Sequence, residues 1–114
     1  MYPPEWLREH DRKVAEAEAQ AVAGASSPQI MISRIEALLR FDGRALAPRI
    51  RCPTLVIAAL DDRITPAYFS RALARAIPEA RLVLLDGGGH FLPIVEPARY
   101  AEIVLRFLSE PGGD

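Results

Sequence analysis

TLVIAALDDRITP, residues 54–66, opens with a short apolar run that follows a proline and leads into two aspartates. A similar stretch, ARLVLLD, occupies residues 80–86. Continuous runs of this length, rich in valine, isoleucine and leucine, are typical of strands buried on both faces of a parallel sheet. The two runs therefore predict two neighbouring strands of an α/β domain.

The segments that follow each strand have the pattern of helices. PAYFSRALARAI, residues 66–77, is predicted to be a helix with Thr65 as its cap and Pro66 at its first position. EPARYAEIVLRFLSE, residues 96–110, places its apolar residues roughly along one helical face. Strands that alternate with helices indicate a parallel sheet with right-handed crossovers, so the second half of the chain is predicted to be a βαβα unit.

The first part of the chain has helical patterns alone. One helix is predicted from Pro4 to a stop at Gly24, and a second, QIMISRIEALLRF, is expected after Ser27 as N-cap and Pro28. The first helix has few large apolar residues, so we expect it to cover another surface rather than form a core. The predicted organisation is a helical cap segment at 1–48, the βαβα part at 49–110 and a frayed tail at 111–114.

Composition places the chain among globular proteins and excludes several classes of function. It has 114 residues, half of them apolar, and a formal net charge of −1. This balance argues against a nucleic-acid or membrane partner. The N-terminus lacks a signal-peptide pattern, and Cys52 is the single cysteine, so neither a disulfide framework nor a CxxC redox site is expected. We therefore expect a cytoplasmic location.

Ionisable side chains follow both predicted strands. Asp61 and Asp62 come after the first strand, and Asp86 and His90 come after the second, separated by three glycines. Functional residues of open α/β sheets lie past the carboxyl ends of the strands, and glycines allow the sharp turn that would bring a histidine back over the sheet edge. A carboxylate bonded to one ring nitrogen fixes the imidazole tautomer and stabilises the imidazolium. An acid–histidine pair is therefore expected at this edge.

RCPTLVIAALDDRITP, LVLLDGGGHFLPIVEP and IVLRFLSE together resemble the C-terminal segment of the α/β-hydrolase superfamily over residues 50–109. The resemblance implies that Asp62 is the acid of a catalytic triad and His90 its general base. Ala59 departs from the pattern, which usually has glycine at that position. The first half, with YPPEWLREHDRKVAEAEAQAVAG and IEALLRFDGRALAPRIRCP, is similar to the cap region of the pyrimidine-utilisation hydrolases, and this implies hydrolysis of an aminoacrylate, carbamate or similar small substrate.

The nucleophile of that family, a serine in G-x-S-x-G, does not occur in this sequence. GASSP comes nearest, but Pro28 stands where the second glycine belongs, and Ser26 and Ser27 are interpreted as a helix cap. Cys52 precedes a proline at the start of a strand, far from the acid–histidine pair. We expect the nucleophile and oxyanion hole to come from outside the chain. The expected partner of the chain is a missing N-terminal half or a homodimer mate. Hydrolytic activity of the chain by itself is therefore doubtful.

Other interpretations stay open for the aspartates and glycines. Asp61 is interpreted as a solvated neighbour of Asp62. Asp86 either ends its strand and binds the glycine turn, which we favour, or serves as an alternative acid. The glycines would also suit a nucleotide loop, but a G-x-G-x-x-G fingerprint would place its third glycine at Leu92. No cluster has metal-ligand spacing, so neither a metal nor an organic cofactor is expected.

Two further expectations concern packing and association. Tyr2 and Trp6 either line a substrate pocket or have a packing role. Two parallel strands leave open edges that invite pairing with another chain. We therefore expect the isolated chain to be aggregation-prone, marginally folded or dimeric through its first strand, and a non-catalytic piece that only associates with a partner is the alternative to a split enzyme.

Overall fold

The computed structural model describes residues 1–110, and the predicted tail at 111–114 lies outside the described residues. Its first part contains helices α1 (Pro4–Glu9), α2 (Asp11–Ala23) and α3 (Pro28–Arg40), followed by a 3₁₀ turn at Ala47–Arg49. Its second part contains β1 (Thr54–Ala59), α4 (Ala67–Ala76), β2 (Ala80–Leu85), α5 (Leu92–Val95) and α6 (Pro97–Ser109). No helix within residues 1–110 combines the length and the apolar character that a membrane span requires.

The two strands form a parallel pair, as the sequence predicts. Thr54 lies opposite Ala80, and the register continues without a bulge to Ala59 opposite Leu85. Both strands therefore end at the same level, and the chain segments that leave them share one rim of the sheet. In the described part of the chain these strands make a two-stranded sheet, so each has one edge without a neighbouring strand.

A small core lies directly beneath this rim. Ala59 and Leu85, which end the two strands, are each 2% exposed, and they pack with Leu92 of α5. Tyr100 and Ile103 of α6 cover this cluster. The strand ends are thus supported by a packed apolar cluster.

The predicted helix from Pro4 to Gly24 is wrong in one respect, because it breaks at His10. The backbone there has φ −129° and ψ 28°, which ends α1 and starts α2. The His10 ring Nδ1 lies 2.9 Å from the carbonyl oxygen of Trp6, so the side chain occupies an acceptor that a continuing helix would bond through its own backbone. The stop at Gly24 and the Ser27 cap are confirmed, since Ser27 Oγ accepts from the Ile30 N–H at 3.4 Å.

The helices of the second part also differ in detail from prediction. The residue before α4 is Pro66, whose backbone is extended. Thr65 makes no capping bond to that helix, because its hydroxyl donates to Asp62 instead. The final helix is preceded by the short α5, which the sequence did not indicate. Pro97 lacks an N–H, so α5 ends before it and α6 begins anew at that residue.

Candidate active site

The predicted acid and base meet at the rim of the sheet. The turn after β1 carries Asp62, and the glycine turn after β2 carries His90. His90 Nδ1 lies 3.0 Å from Asp62 Oδ2. The Asp62 side chain is 9% exposed and the His90 side chain 32% exposed, so the carboxylate is shielded while the imidazole keeps access to solvent.

Asp62 is held by its own turn as well as by the histidine. Its Oδ1 accepts from the backbone N–H groups of Ile64, at 2.8 Å, and Thr65, at 3.0 Å. Its Oδ2 accepts from the hydroxyl of Thr65 at 2.8 Å in addition to His90. Four donors thus surround the two oxygens, which is about the full acceptor capacity of a carboxylate.

These donors decide the charge of the pair. Burial raises the pKa of Asp62, but the hydrogen bonds from His90, from the N–H groups of Thr65 and Ile64 and from the Thr65 hydroxyl outweigh burial and lower the pKa from 3.8 to about 2. The carboxyl group is therefore ionised at neutral pH and can only accept hydrogen bonds. It follows that His90 donates through Nδ1–H, and the neutral ring carries its lone pair on Nε2, the atom a general base needs.

Two positions in the glycine turn require glycine. Gly88 has φ +123° and Gly89 has φ +63°, and both values strain a residue with a side chain. A Cβ on Gly88 would collide with Leu92, and one on Gly89 would collide with the backbone carbonyl of Met1. The same carbonyl oxygen of Met1 accepts a hydrogen bond from the His90 N–H, at 2.8 Å.

Asp61 has a partner that the sequence did not reveal. Asp61 is exposed to solvent, as predicted, and its Oδ1 also accepts a hydrogen bond from the Gly89 N–H at 2.9 Å. The bond to the glycine turn that was favoured for Asp86 is thus made by Asp61, while Asp86 is exposed. The sequence placed all three aspartates at the rim, but spacing does not specify which carboxylate faces the turn.

Aromatic rings connect the N-terminal segment to the histidine loop. Tyr2 stacks on Trp6, with ring centroids 4.5 Å apart, and contacts Phe91 at 4.7 Å. Trp6 stacks in turn on His10 at 4.2 Å, and Phe91 lies edge-on to His90 at 5.4 Å. Tyr2 and Trp6 therefore have a packing role beside the pair. The part played by Phe91 and His10 was missed, because stacking across the chain leaves no local sequence pattern.

Neither Ser27 nor Cys52 is hydrogen-bonded to the pair. Ser27 caps α3, and Cys52 is exposed two residues before β1, at the opposite end of that strand from the rim. Within residues 1–110, no three His, Cys, Asp or Glu side chains are grouped to hold a metal ion. The arrangement at the rim can accept and return a proton.

A carboxylate and an imidazole meet at the carboxyl ends of neighbouring parallel strands, and a helix covers the core below them, which is an α/β fold with an acid–histidine pair at its rim. Residues 1–103 match the Alpha/beta hydrolase family, and the chain belongs to that family.

The curated relatives of the chain point to one group of proteins within this family. The chain is 44% identical over 110 residues to a protein of Azorhizobium caulinodans named "Putative carbamate hydrolase RutD", covering 96% of this chain and 42% of the relative. A protein of the same name from Stutzerimonas stutzeri is 38% identical over 113 residues, covering 99% of this chain and 43% of the relative. The chain thus spans less than half the length of the curated relatives it matches.

Solved structures agree on the fold. The enol-lactonase of Burkholderia xenovorans LB400 superposes with a TM-score of 0.81 at 29% identity, covering 96% of this chain and 41% of that one. MGS-M2, an α/β hydrolase from a deep-sea metagenome, superposes with a TM-score of 0.83 at 24% identity over 99% of this chain and 42% of that one, and it supports the fold alone. The α/β-hydrolase architecture predicted from the sequence is therefore confirmed.

Proposed function

We propose that Asp62 and His90 are the acid and the general base of a serine-type hydrolase site, to which this chain contributes the Asp–His part of the triad. The observation that carries the proposal is the 3.0 Å contact between His90 Nδ1 and Asp62 Oδ2 at the rim of the parallel pair. Because Asp62 is ionised and fully bonded, it orients the imidazole and stabilises the imidazolium that forms during turnover.

The proton movements follow from this geometry. His90 Nε2 takes the proton of a serine hydroxyl as the oxygen attacks the substrate carbonyl carbon, and the imidazolium then gives that proton to the leaving group. In the second half, Nε2 takes a proton from water as the water oxygen attacks the acyl carbon, and the imidazolium then gives that proton to the serine oxygen as its bond to the acyl carbon breaks. The positive charge on the ring is balanced by Asp62 throughout, and no metal or organic cofactor takes part.

The nucleophile and the oxyanion donors come from a second segment in this proposal. The chain contains no G-x-S-x-G. Preorganised oxyanion donors supply a large share of the rate enhancement in such sites. We therefore assign this chain the acid–base part of the reaction and expect little turnover from it when it is alone.

The substrate class is proposed from the relatives. Two similar proteins are named a putative carbamate hydrolase and an enol-lactonase, and both of these reactions cleave a bond at a carbonyl carbon. A small carbamate, amide or ester suits this chemistry, and aminoacrylate or carbamate hydrolysis in pyrimidine degradation, in the cytoplasm, is the specific role we propose.

The partner in this proposal binds the free edge of β1. A cleft along that edge is lined by apolar side chains of both flanking helices, among them Leu73 of α4 and Val104 and Phe107 of α6, above Leu55 and Ile57 of the strand. An unpaired strand edge between apolar walls is suited to another strand with helices on either side. We propose that the upstream half of the hydrolase occupies it. The same surface supports the alternative, in which the chain only associates with that half or with a second copy and catalyses nothing.

The hydrogen bonds of the glycine turn do not favour the nucleotide-loop alternative. A phosphate-binding loop presents free backbone N–H groups to its ligand. Here the N–H of Gly89 donates to Asp61, and the N–H of His90 donates to the Met1 carbonyl. Two central donors of the loop are therefore already used within the chain.

Complementation tests the proposed activity. The chain would be co-expressed with the segment of the Azorhizobium relative that it does not match, and the purified complex assayed with a carbamate and a chromogenic ester. We expect hydrolysis that is abolished by His90→Gln and Asp62→Asn and retained by Asp86→Asn, a matched change in an exposed aspartate of the same rim. A stable complex without hydrolysis would favour the association alternative, and equal losses from Asp62→Asn and Asp86→Asn would overturn our choice of acid.

A further inference from the structure

Thr65 lies at the centre of the acid–base pair. Its hydroxyl is 2.8 Å from Asp62 Oδ2 and 3.3 Å from His90 Nδ1, and its backbone N–H donates to Asp62 Oδ1 at 3.0 Å. The residue therefore binds both carboxylate oxygens and also faces the ring nitrogen. The family resemblance assigned this residue no role, and the helix-cap role predicted for it from the sequence is wrong.

The chemistry of a hydroxyl gives this contact a direction. A hydroxyl has one hydrogen to donate and two lone pairs that accept. The carboxylate of Asp62 is an ionised acceptor only 2.8 Å away, so the single hydrogen points to Oδ2. The side of Thr65 Oγ1 that faces His90 Nδ1 is then a lone pair. This lone pair attracts an N–H on Nδ1 and repels a bare nitrogen.

Two acceptors consequently surround the Nδ1 position of His90. Asp62 Oδ2 accepts at 3.0 Å, and Thr65 Oγ1 lies at 3.3 Å with its hydrogen turned away. Thr65 also holds the carboxylate against rotation, because it bonds one oxygen through its side chain and the other through its backbone.

We propose that Thr65 is a positioning residue that holds His90 in its Nδ1–H form and so keeps the lone pair on Nε2. The importance of this tautomer for catalysis rests on the proposed function, in which Nε2 is the atom that takes the serine proton. The tautomer itself is a property of this chain and is measured without a substrate.

The test is the imidazole tautomer of His90 in the full chain, read from the ¹⁵N shifts of the neutral ring. The wild-type ring is expected to be Nδ1–H. Thr65→Val is expected to shift the tautomer ratio roughly five- to tenfold toward Nε2–H, the effect of losing one hydrogen bond of ordinary strength. Thr65→Ser, which keeps the hydroxyl, is expected to match the wild type.

Thr54→Val is the matched control. Thr54 begins β1, and its hydroxyl bonds the Cys52 carbonyl at 3.0 Å, at the opposite end of the strand from His90. The same substitution there is expected to leave the tautomer unchanged. The backbone amide spectrum reports folding of each variant, and Thr65→Ala takes the place of Thr65→Val if the valine variant unfolds.

Two failures are distinguishable. A wild-type ring without an Nδ1–H preference would overturn the Asp62–His90 pair and with it the proposed function. A wild-type ring that is Nδ1–H, together with Thr65→Val and Thr65→Ala variants that keep that tautomer, would overturn the role of Thr65 alone. A merely structural role for Thr65 would lower stability in these variants without changing the tautomer ratio.

Discussion

The Asp61 carboxylate accepts a hydrogen bond from the backbone N–H of Gly89 at 2.9 Å, across 28 residues of sequence. Its neighbour Asp62 binds the imidazole of the residue that follows, His90. Two consecutive carboxylates after β1 thus hold the histidine loop, one through its backbone and the other through its side chain.

This division predicts different outcomes for two substitutions at Asp61. Asp61→Ala leaves the Gly89 N–H without its acceptor and is expected to destabilise the turn by about 0.5–1.5 kcal/mol. Asp61→Asn keeps a carbonyl oxygen that accepts the same bond and is expected to be mild. Hydrogen exchange of the Gly89 amide measures the effect directly.

Asp86→Ala is the control for this prediction, because Asp86 is exposed on the same rim. It is expected to leave exchange at Gly89 unchanged. Equal exchange rates in Asp61→Ala and the wild type would show that the carboxylate does not hold the turn.

The glycines of the turn are expected to differ in their tolerance of alanine. Gly89→Ala places a Cβ against the Met1 carbonyl at φ +63°, and the left-handed backbone alone costs about 1–2 kcal/mol. A Cβ on Gly87 would meet only Asp61 Oδ2, at an ordinary 3.7 Å. Urea unfolding of the two variants is expected to show a marked loss for Gly89→Ala and a small change for Gly87→Ala. The reverse order would contradict the observed turn.

Stability is expected to fall in acid because of Asp62. Its pKa is about 2 in the folded chain against 3.8 for the ordinary group, so between these values the unfolded chain binds more protons. The contribution of Asp62 is therefore complete above about pH 4 and is lost as the pH falls toward 2, by about 1–2 kcal/mol. Unfolding free energies measured from pH 5 to pH 2 are expected to slope less in Asp62→Asn.

Asp42 needs a separate control in that experiment. Its hydrogen bonds from Arg44 lower its pKa to about 2 as well, but this pair is fully exposed. Salt screens an exposed pair, so the Asp42 contribution is expected to shrink in 0.5 M salt while that of Asp62 persists. If Asp42→Asn reduced the acid slope as much as Asp62→Asn at high salt, the Asp62–His90 pair would not be the source of that slope.

Local patterns predicted the strands and the pair, because a buried parallel strand needs a continuous apolar run and a sharp turn needs glycine. The break at His10 was not predictable in this way, since it depends on a ring reaching the Trp6 carbonyl and stacking on the same residue. The role of Asp61 was missed for a similar reason. Spacing places a carboxylate at the rim, but its direction depends on the turn opposite, 28 residues away.

The open edge of β1 predicts self-association of the isolated chain. Leu73 lines the cleft along this edge and is 45% exposed, and burying a leucine against a partner contributes about 1.5–3 kcal/mol. Leu73→Lys is therefore expected to weaken association at least roughly tenfold in sedimentation equilibrium. Leu38→Lys on α3 is the matched control, since Leu38 is 75% exposed and does not line the cleft. A wild-type chain that is monomeric and unfolds sharply and reversibly in dilute solution would count against this edge as an interface, as would equal weakening by the two lysines.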